Sequence, residues 1–297
     1  MTAKFRSMRA PSSLLSFAFL TFVFLVPVAA RAHPAVGIVR DRDGNVFYSD
    51  TARVWRINPQ GVKSIAVDNV HTHELWLDAE GNLYGEHLWY EGDATHKWAH
   101  RVWKLARNGT LSDLIPARSG LREDYRDFFF ARDRNGIMYW VEKGPQGEKD
   151  RLATIHKRVP GGPDQLLAQI SLSQIGWLSA SPDGEVLVAD GPTLYRINAT
   201  GRVDIVSASL SESRERYAIM GAWKDGPGNI YVADYGSAAV KKIDASGRVS
   251  TVATSAIPWA PTGGLSAPDG SLWILENSKA NVQRVRHVEP GGKEKIF

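Results

Sequence analysis

Short apolar segments recur along the chain, and pairs of them are separated by turns that are rich in Asp, Asn or Pro and end in glycine. Glycine supplies the positive φ that a tight hairpin requires, and the Asp or Asn beside it hydrogen-bonds to the local backbone. The apolar segments alternate or run continuously, as buried strands do, and no helical period competes with them after residue 32. The pattern therefore predicts six hairpins, whose turn glycines are Gly44, Gly81, Gly136, Gly184, Gly228 and Gly270.

Each hairpin is followed by two more strand-like segments. The first of these resembles V-x-K/R-I, and the second follows another glycine. The turn glycines are 37 to 55 residues apart, which is the size of a four-stranded propeller blade. A β-sandwich or a stacked solenoid does not require six near-equal units with this internal order. The sequence thus predicts an all-β protein, a six-bladed β-propeller of four-stranded antiparallel blades. Unit one has its own first strand at 37–40 and unit six its own fourth at 293–297, so closing the ring needs no strand exchange.

One unit carries a family resemblance. The segment Asp225-Gly-Pro-Gly-Asn-Ile-Tyr-Val-Ala-Asp234, with 240–247 after it, resembles an NHL repeat. The resemblance extends over nearly all of the chain after residue 32, and it includes the related gluconolactonase and strictosidine-synthase-like propellers. It implies the propeller fold. Because these families use different active sites, it does not imply one activity.

The first 32 residues combine a basic stretch, an apolar run at 14–28 and the triplet Ala30-Arg31-Ala32. This order is typical of a signal peptide, and the apolar run is shorter than the roughly 20 residues that span a bilayer as a helix. We expect residues 1–32 to be removed and 33–297 to form a single secreted or periplasmic domain without stable membrane insertion. An uncleaved N-terminal anchor is the alternative.

Charge and cysteine content exclude several classes of function. Four of the 36 Lys and Arg residues lie in the first 32, which leaves 32 basic against 32 acidic residues in the remainder. This balance gives no electrostatic footprint for nucleic acid or an anionic membrane. The chain has no cysteine, so disulfides, thiolate metal sites and thiol nucleophiles are excluded. We expect a monomer that is held together by its core.

Loop length points to units two and three. In a propeller, the connections that enter first strands and those that leave second strands share one face, around the channel mouth. The step from the second to the third strand takes 6 residues in unit five, but 15 in unit two and 13 in unit three. Insertions on one face often carry binding function. We expect a lobe over the mouth that is either a binding surface or a structural lid.

Five of the eight histidines lie in unit two. His71 and His73 precede its first strand, and an H-x-H pair in extended backbone places both imidazoles on one side. With His87 at the end of the second strand, they are candidate ligands of a divalent metal, zinc or calcium, with an open coordination position. Glu74 and Glu86 are candidate general bases or residues that orient the ligands. The alternative is that these histidines are structural.

In the other five units, the position of His87 is a carboxylate. Such a carboxylate can accept hydrogen bonds from nearby backbone amides, and we interpret the series as structural. Its members are Asp50, Glu142, Asp190, Asp234 and Glu276.

The stretch that begins at His73 resembles the one by which the peptidyl-amidating lyase family places one zinc-binding histidine in each of three blades. Only His73 corresponds, because the equivalent positions elsewhere are Val36, Phe128, Gly176, Met220 and Thr262. The metal ligands of the gluconolactonase family also have no clear counterpart at these positions.

Aromatic and charged residues complete the candidate ligand surface. They are Trp89, Tyr90 and Trp98 in unit two, Tyr125, Arg126, Asp127 and Glu142 in unit three, and Tyr217 and Trp259 before later first strands. One hypothesis is an exported binding module for a peptide, a glycan, a protein partner or another small polar molecule. The other is a metal-dependent hydrolase or lyase that uses the three histidines and one of the two glutamates on a small polar substrate. The sequence leaves open whether the protein is an enzyme.

Overall fold

The structure is a computed structural model that describes residues 34–95, 97–119, 130–133, 135–143, 151–181 and 183–297. These residues form 24 strands in six four-stranded antiparallel sheets, and each sheet consists of four consecutive strands. The described residues contain no helix of the length and apolarity that crossing a bilayer demands. The predicted six-bladed β-propeller is confirmed.

The first three blades have the following strands, in order from the channel outward. Blade one consists of β1 (Ile38–Arg40), β2 (Val46–Ser49), β3 (Val54–Ile57) and β4 (Lys63–Val67); blade two of β5 (Leu75–Leu77), β6 (Leu83–Tyr90), β7 (Trp98–Leu105) and β8 (Leu111–Ser119); and blade three of β9 (Phe130–Arg132), β10 (Met138–Lys143), β11 (Arg151–Arg158) and β12 (Asp164–Leu172).

The other three blades repeat this order. Blade four consists of β13 (Ile175–Ala180), β14 (Val186–Asp190), β15 (Thr193–Ile197) and β16 (Val203–Ser207); blade five of β17 (Ile219–Lys224), β18 (Ile230–Asp234), β19 (Ala239–Ile243) and β20 (Val249–Thr254); and blade six of β21 (Trp259–Ser266), β22 (Leu272–Ser278), β23 (Gln283–Val288) and β24 (Glu294–Ile296).

The turns between first and second strands have the predicted chemistry. All six turn glycines have positive φ, between 75° and 91°. In blade one, Asp41 accepts the backbone N–H of Asn45 at 2.8 Å and its side-chain amide at 2.7 Å. The same pair of bonds recurs in blades two and five. These local contacts fix where each hairpin reverses, and with it the register of the first two strands.

Adjacent blades pack face to face through their apolar side chains. Second strands such as β14 and β18 are buried along their whole length, because neighbouring blades cover both of their faces. One apolar cluster joins Trp177 and Leu187 of blade four to Ile219 and Val232 of blade five. The core is therefore a ring of interfaces between blades.

The ring closes between blades six and one without strand exchange, as predicted. Residues 34–37 add no strand, and Thr262 Oγ1 donates to the backbone oxygen of Ala35 at 2.8 Å. The two chain segments approach so closely that a Cβ at Gly263 would lie 2.2 Å from the backbone oxygen of Val36. A residue without a side chain is thus required at this seam.

Candidate functional site

Blade two has a longer second hairpin than its sequence indicated. We expected the second strand to end at His87 and the third to begin at Val102, but β6 continues to Tyr90 and β7 begins at Trp98. The added ladder pairs Leu88 with His100 and Trp89 with Ala99. Leu88, His100 and Ala99 are buried, so packing prolongs the strands through the expected loop. In blade three, residues 144–150 of the corresponding connection lie outside the described residues.

The end of this hairpin carries aromatic side chains. Tyr90 is 41% exposed, and its hydroxyl donates to Asp93 Oδ1 at 3.1 Å. The half-buried Trp89 ring stacks on the imidazole of His87 with 5.0 Å between ring centroids. Trp98 is the strand partner of Tyr90, but its side chain lies outside the part of the chain that is described.

The structure brings His71 and His73 together, as the H-x-H spacing predicts. Their Nε2 atoms are 3.0 Å apart, and the rings meet edge to face. Between them, Thr72 points the other way into the protein, where its hydroxyl accepts the indole N–H of Trp103 at 3.1 Å. The backbone oxygen of Thr72 also accepts the Ser49 hydroxyl at 2.5 Å. The segment that carries the two imidazoles is therefore anchored to blade one and to β7.

His87 has a different role from the one expected of a metal ligand. Its Nδ1 accepts the backbone N–H of His71 at 2.6 Å. In a neutral imidazole, an accepting Nδ1 leaves the proton on Nε2, which then has no lone pair for a metal. Burial, followed by the charges of Arg101 and His71, lowers the pKa of His87 to about 4 and favours this neutral form. Burial also lowers the pKa of His71.

The histidines therefore do not form a three-ligand site. Two imidazoles meet, and the third ring supports the backbone of the first. Among the residues that the structure describes, no group of three His, Asp or Glu side chains is arranged to hold a metal ion.

The carboxylates that correspond to His87 make the predicted structural contacts in three blades. Asp50 accepts the backbone N–H groups of Ala52 and Arg53 at 2.9 and 2.8 Å. Asp234 accepts the backbone N–H of Ser237 at 3.0 Å. Asp190 accepts two backbone N–H groups, from Ser173 and Gln174, in the segment that enters its own blade. His87 does the same for His71, so it replaces a carboxylate as an acceptor.

Two further carboxylates of this series have side-chain partners instead. Glu276 is fully buried and accepts from Nε of Arg284 at 2.7 Å and Nε of Arg286 at 3.0 Å. Glu142, a predicted ligand-binding residue, is half exposed and lies 3.1 Å from Nε2 of His156. In blade six the position is part of an ion-pair network with the neighbouring strand, and in blade three it contacts an imidazole on that strand.

The two predicted general bases lie apart. Glu86 is buried in β6 and directly precedes His87, so the two side chains point to opposite faces of the sheet. Glu74 precedes β5 and faces the central channel. Burial raises the pKa of Glu74 to about 8, and the nearby Trp177 side chain opposes this shift. The Glu74 residue is only partly exposed, and it forms part of the wall of the channel cavity.

The remaining candidate ligand residues are distributed around the ring. Tyr217 lies just before β17, with the Arg216 guanidinium 5.1 Å above its ring. Trp259 begins β21, and its ring lies 4.0 Å from the Arg284 guanidinium. Both rings are therefore already engaged with a cation. Tyr125, Arg126 and Asp127 lie outside the described residues.

A cavity of about 470 Å³ occupies the channel, which the sequence did not predict. Glu74 lies where β5 begins, whereas Asp183 and Lys224 lie at the turns that follow first strands, so the cavity extends toward the face opposite His71 and His73. Lys224 pairs with Glu185 at 2.6 Å and lies 3.8 Å from Asp183. A signal for this cavity in the sequence is the presence of tryptophan in first strands, at Trp177 and Trp223.

No protein-family model matches this sequence, and a search of the curated proteins finds no similar one. Solved structures do match. A catalytically inactive virginiamycin B lyase from Staphylococcus aureus, with quinupristin, is 11% identical, and the match covers 91% of this chain and 86% of that chain with a TM-score of 0.54. A gluconolactonase from Xanthomonas campestris is 14% identical over 84% and 85% of the two chains, with a TM-score of 0.53.

An auxiliary nutrient binding protein from Bacteroides thetaiotaomicron is 11% identical over 86% of this chain and 69% of that chain, with a TM-score of 0.55. The chain shares its propeller fold with lyases, lactonases and binding proteins. At these identities the similarity extends to the fold alone, and one fold hosts many activities. The NHL-type repeat and the signal peptide stay predictions.

Proposed function

We propose that this protein is an exported binding propeller that holds a peptide or a glycan at the channel mouth, beside blade two. The observation that carries the proposal is the long β6–β7 hairpin. Its strands have eight residues each, whereas the second and third strands of blades one, four and five have four or five. The added residues include Trp89 and Tyr90, and they bring aromatic surface to the face where His71 and His73 lie.

The chemistry of this surface suits polar ligands with apolar faces. Tyr and Trp side chains combine a large apolar ring with one hydrogen-bonding group, which is why they are frequent in binding sites. The paired imidazoles of His71 and His73 add hydrogen-bonding groups that can act as donor or acceptor at neutral pH. A peptide or a glycan offers both kinds of contact. Export rests on the predicted signal peptide.

Arrays of peptides and of glycans, probed with the purified protein, test this proposal. We expect saturable capture that falls at least about tenfold in Trp89→Ala and Tyr90→Ala, because stacked aromatic rings dominate such contacts. Ile257→Ala is the matched control, since Ile257 is 88% exposed in the connection between blades five and six, away from blade two. Capture that is unchanged in both aromatic variants, or no capture on either array, would contradict the proposal.

A metal-dependent hydrolase or lyase is the second candidate, and the contact between His71 and His73 favours it. Two imidazoles on a tetrahedral zinc at about 2.0–2.1 Å place their nitrogens about 3.3 Å apart, close to the 3.0 Å seen here. Because His87 uses Nδ1 as an acceptor, the residues in place do not complete the site. Elemental analysis after reconstitution with zinc tests this candidate. Less than about 0.2 equivalents of bound metal would exclude it.

A further inference from the structure

Blades two and five carry the same row of side chains across their first three strands. In blade two, Trp76 stacks on Tyr84 with 5.3 Å between ring centroids, and the Lys104 ammonium lies 5.5 Å from the Tyr84 ring. In both blades the tyrosine hydroxyl donates to the aspartate of the turn after the first strand. The row of blade five consists of Trp223, Tyr231 and Lys242. The two blades therefore present the same aromatic row to the blade that follows.

The following blade covers this aromatic row in one case and not in the other. In blade six, Leu272 and Val288 pack against the row in one apolar cluster, and Ser266 Oγ accepts the indole N–H of Trp223 at 3.1 Å. The equivalent positions of blade three, by strand pairing, are occupied by Arg132 for Ser266, Met138 for Leu272 and Arg158 for Val288. Long cationic side chains keep their guanidinium groups near water. Among the described residues, the apolar side chains of blades two and three accordingly form two separate clusters.

A cleft of about 1140 Å³ lies between blades two and three, on the face opposite the channel mouth. The buried side chains of Trp76, Tyr84 and Met138 line its inner part. Toward the rim, Leu114 of β8 and Val159, just after β11, lie on opposite sides and are 55% and 44% exposed. Because neighbouring strands are about 4.8 Å apart, the cleft extends about 14 Å from the first strand of blade two to the fourth.

The walls of the cleft define the chemistry of a ligand. Both walls are faces of neighbouring sheets, so the space between them is a slot that suits a flat ring system. The apolar side chains that line the slot release water when such a ring covers them. A guanidinium group is planar and also stacks on rings, as the Arg132 guanidinium does at 5.6 Å from the Trp76 ring.

The charged groups of the cleft have both signs. The carboxylates of Asp78 and Asp164 and the guanidinium groups of Arg132 and Arg158 all line it, and Asp164 is paired with Arg158. This mixture does not favour an ion of either sign, and an ion would lose hydration on entry. We propose that the cleft between blades two and three binds an uncharged planar aromatic molecule, of about two or three rings in view of its volume.

Fluorescence titration with N-phenyl-1-naphthylamine, which is uncharged, tests the proposal. Its analogue 8-anilino-1-naphthalenesulfonate has the same rings and adds one negative charge. We expect saturable one-to-one binding of the uncharged probe, at least about fivefold tighter than that of the sulfonate, because only the sulfonate has an ionic group to desolvate.

Variants of the two side walls locate the bound probe. Leu114→Ala and Val159→Ala should each weaken binding of the uncharged probe about fivefold, and the double variant about twentyfold, because apolar contact area is lost. Leu111→Ala is the matched control, since Leu111 is 47% exposed on the same strand but does not line the cleft. Trp89→Ala should also leave probe binding unchanged. The cleft and the proposed peptide or glycan surface lie on opposite faces, so each proposal can fail alone.

Three outcomes would overturn the proposal. The first is no saturable binding of the uncharged probe to a protein whose circular dichroism is that of a folded β-protein. The second is binding that Leu114→Ala and Val159→Ala both leave unchanged, which would place the probe elsewhere. The third is tighter binding of the sulfonate that Arg158→Gln abolishes, which would make the cleft an anion site. Because Leu114 and Val159 belong to different blades, loss of fold in one variant still leaves the other as a test.

Discussion

The ring of His87 accepts the backbone N–H of His71 through Nδ1 over 2.6 Å. In blade one, the equivalent residue Asp50 accepts backbone N–H groups with its carboxylate. The histidine that interrupts the acidic series therefore keeps the acceptor function of the series. It also determines how the segment with His71 and His73 enters β5.

We first predict the effect of removing this acceptor. His87→Ala should lower the free energy of unfolding by about 1–3 kcal/mol, because it leaves the backbone N–H of His71 without its partner. His87→Asp should recover part of that loss, since Asp190 at the equivalent position of blade four accepts backbone N–H groups of the segment that enters that blade. Urea denaturation of both variants measures the difference. Equal stability of His87→Ala and the unchanged protein would show that the bond contributes nothing.

The low pKa of His87 predicts a pH dependence of stability. The unfolded chain binds a proton at about pH 6.5 and the folded chain only at about 4, so the unfolded state binds more protons between these values. Stability should therefore be complete above pH 6.5 and fall as the pH drops toward 4. We expect this site to contribute about 1–2 kcal/mol after allowance for solvent screening. The pH profile of His87→Asn, measured by denaturation, should lack this component; an unchanged profile argues against the prediction.

Glu74 should act in the opposite direction. Its pKa of about 8 exceeds that of the unfolded chain, near 4.5, so the folded state keeps the proton longer. Stability from this group is complete below pH 4.5 and is lost as the pH rises toward 8. Glu74→Gln removes this loss and should be more stable than the unchanged protein by about 1–3 kcal/mol at pH 8, but not at pH 4. Thermal unfolding at the two pH values tests this prediction. A Glu74→Gln variant that is less stable than the unchanged protein at pH 8 would refute it.

The seam between blades six and one should tolerate no side chain at Gly263. A Cβ there would lie 2.2 Å from the backbone oxygen of Val36, so Gly263→Ala should destabilise the fold by more than about 2 kcal/mol. Gly226→Ala is the control, because a Cβ at Gly226 has no atom within 4 Å and its φ is not positive. Denaturation midpoints compare the two. Similar midpoints would mean that the seam can relax.

The sequence predicted the fold well because the information is local and repeated. Each turn contains its own glycine and its own Asp or Asn contact. Because the same signal occurs six times, the number of blades does not depend on the interpretation of any one turn. The structural role of the strand-ending carboxylates was also readable, since Asp50 and Asp234 bond to amides within three residues. The separation of Glu86 from His87 was readable as well, because adjacent residues of a strand point to opposite faces of the sheet.

Other features depend on contacts between distant segments. The extension of β6 to Tyr90 reflects the burial of Leu88 and His100, which the spacing of motifs does not encode. The cavity depends on residues about one hundred positions apart in sequence, Glu74 and Trp177, which only the closed ring brings together. Which atom of His87 is used as an acceptor is likewise a matter of side-chain orientation, not of spacing.

Because every blade contains four consecutive strands, no sheet combines strands from the beginning and from the end of the propeller. Ala35, which precedes the first strand beside the channel, and Phe297, which follows the last strand on the rim, both pack at the interface between blades one and six. A linker long enough to join Phe297 on the rim to Ala35 beside the channel would therefore allow new termini at another connection between blades. Such a circularly permuted chain should form the same six sheets.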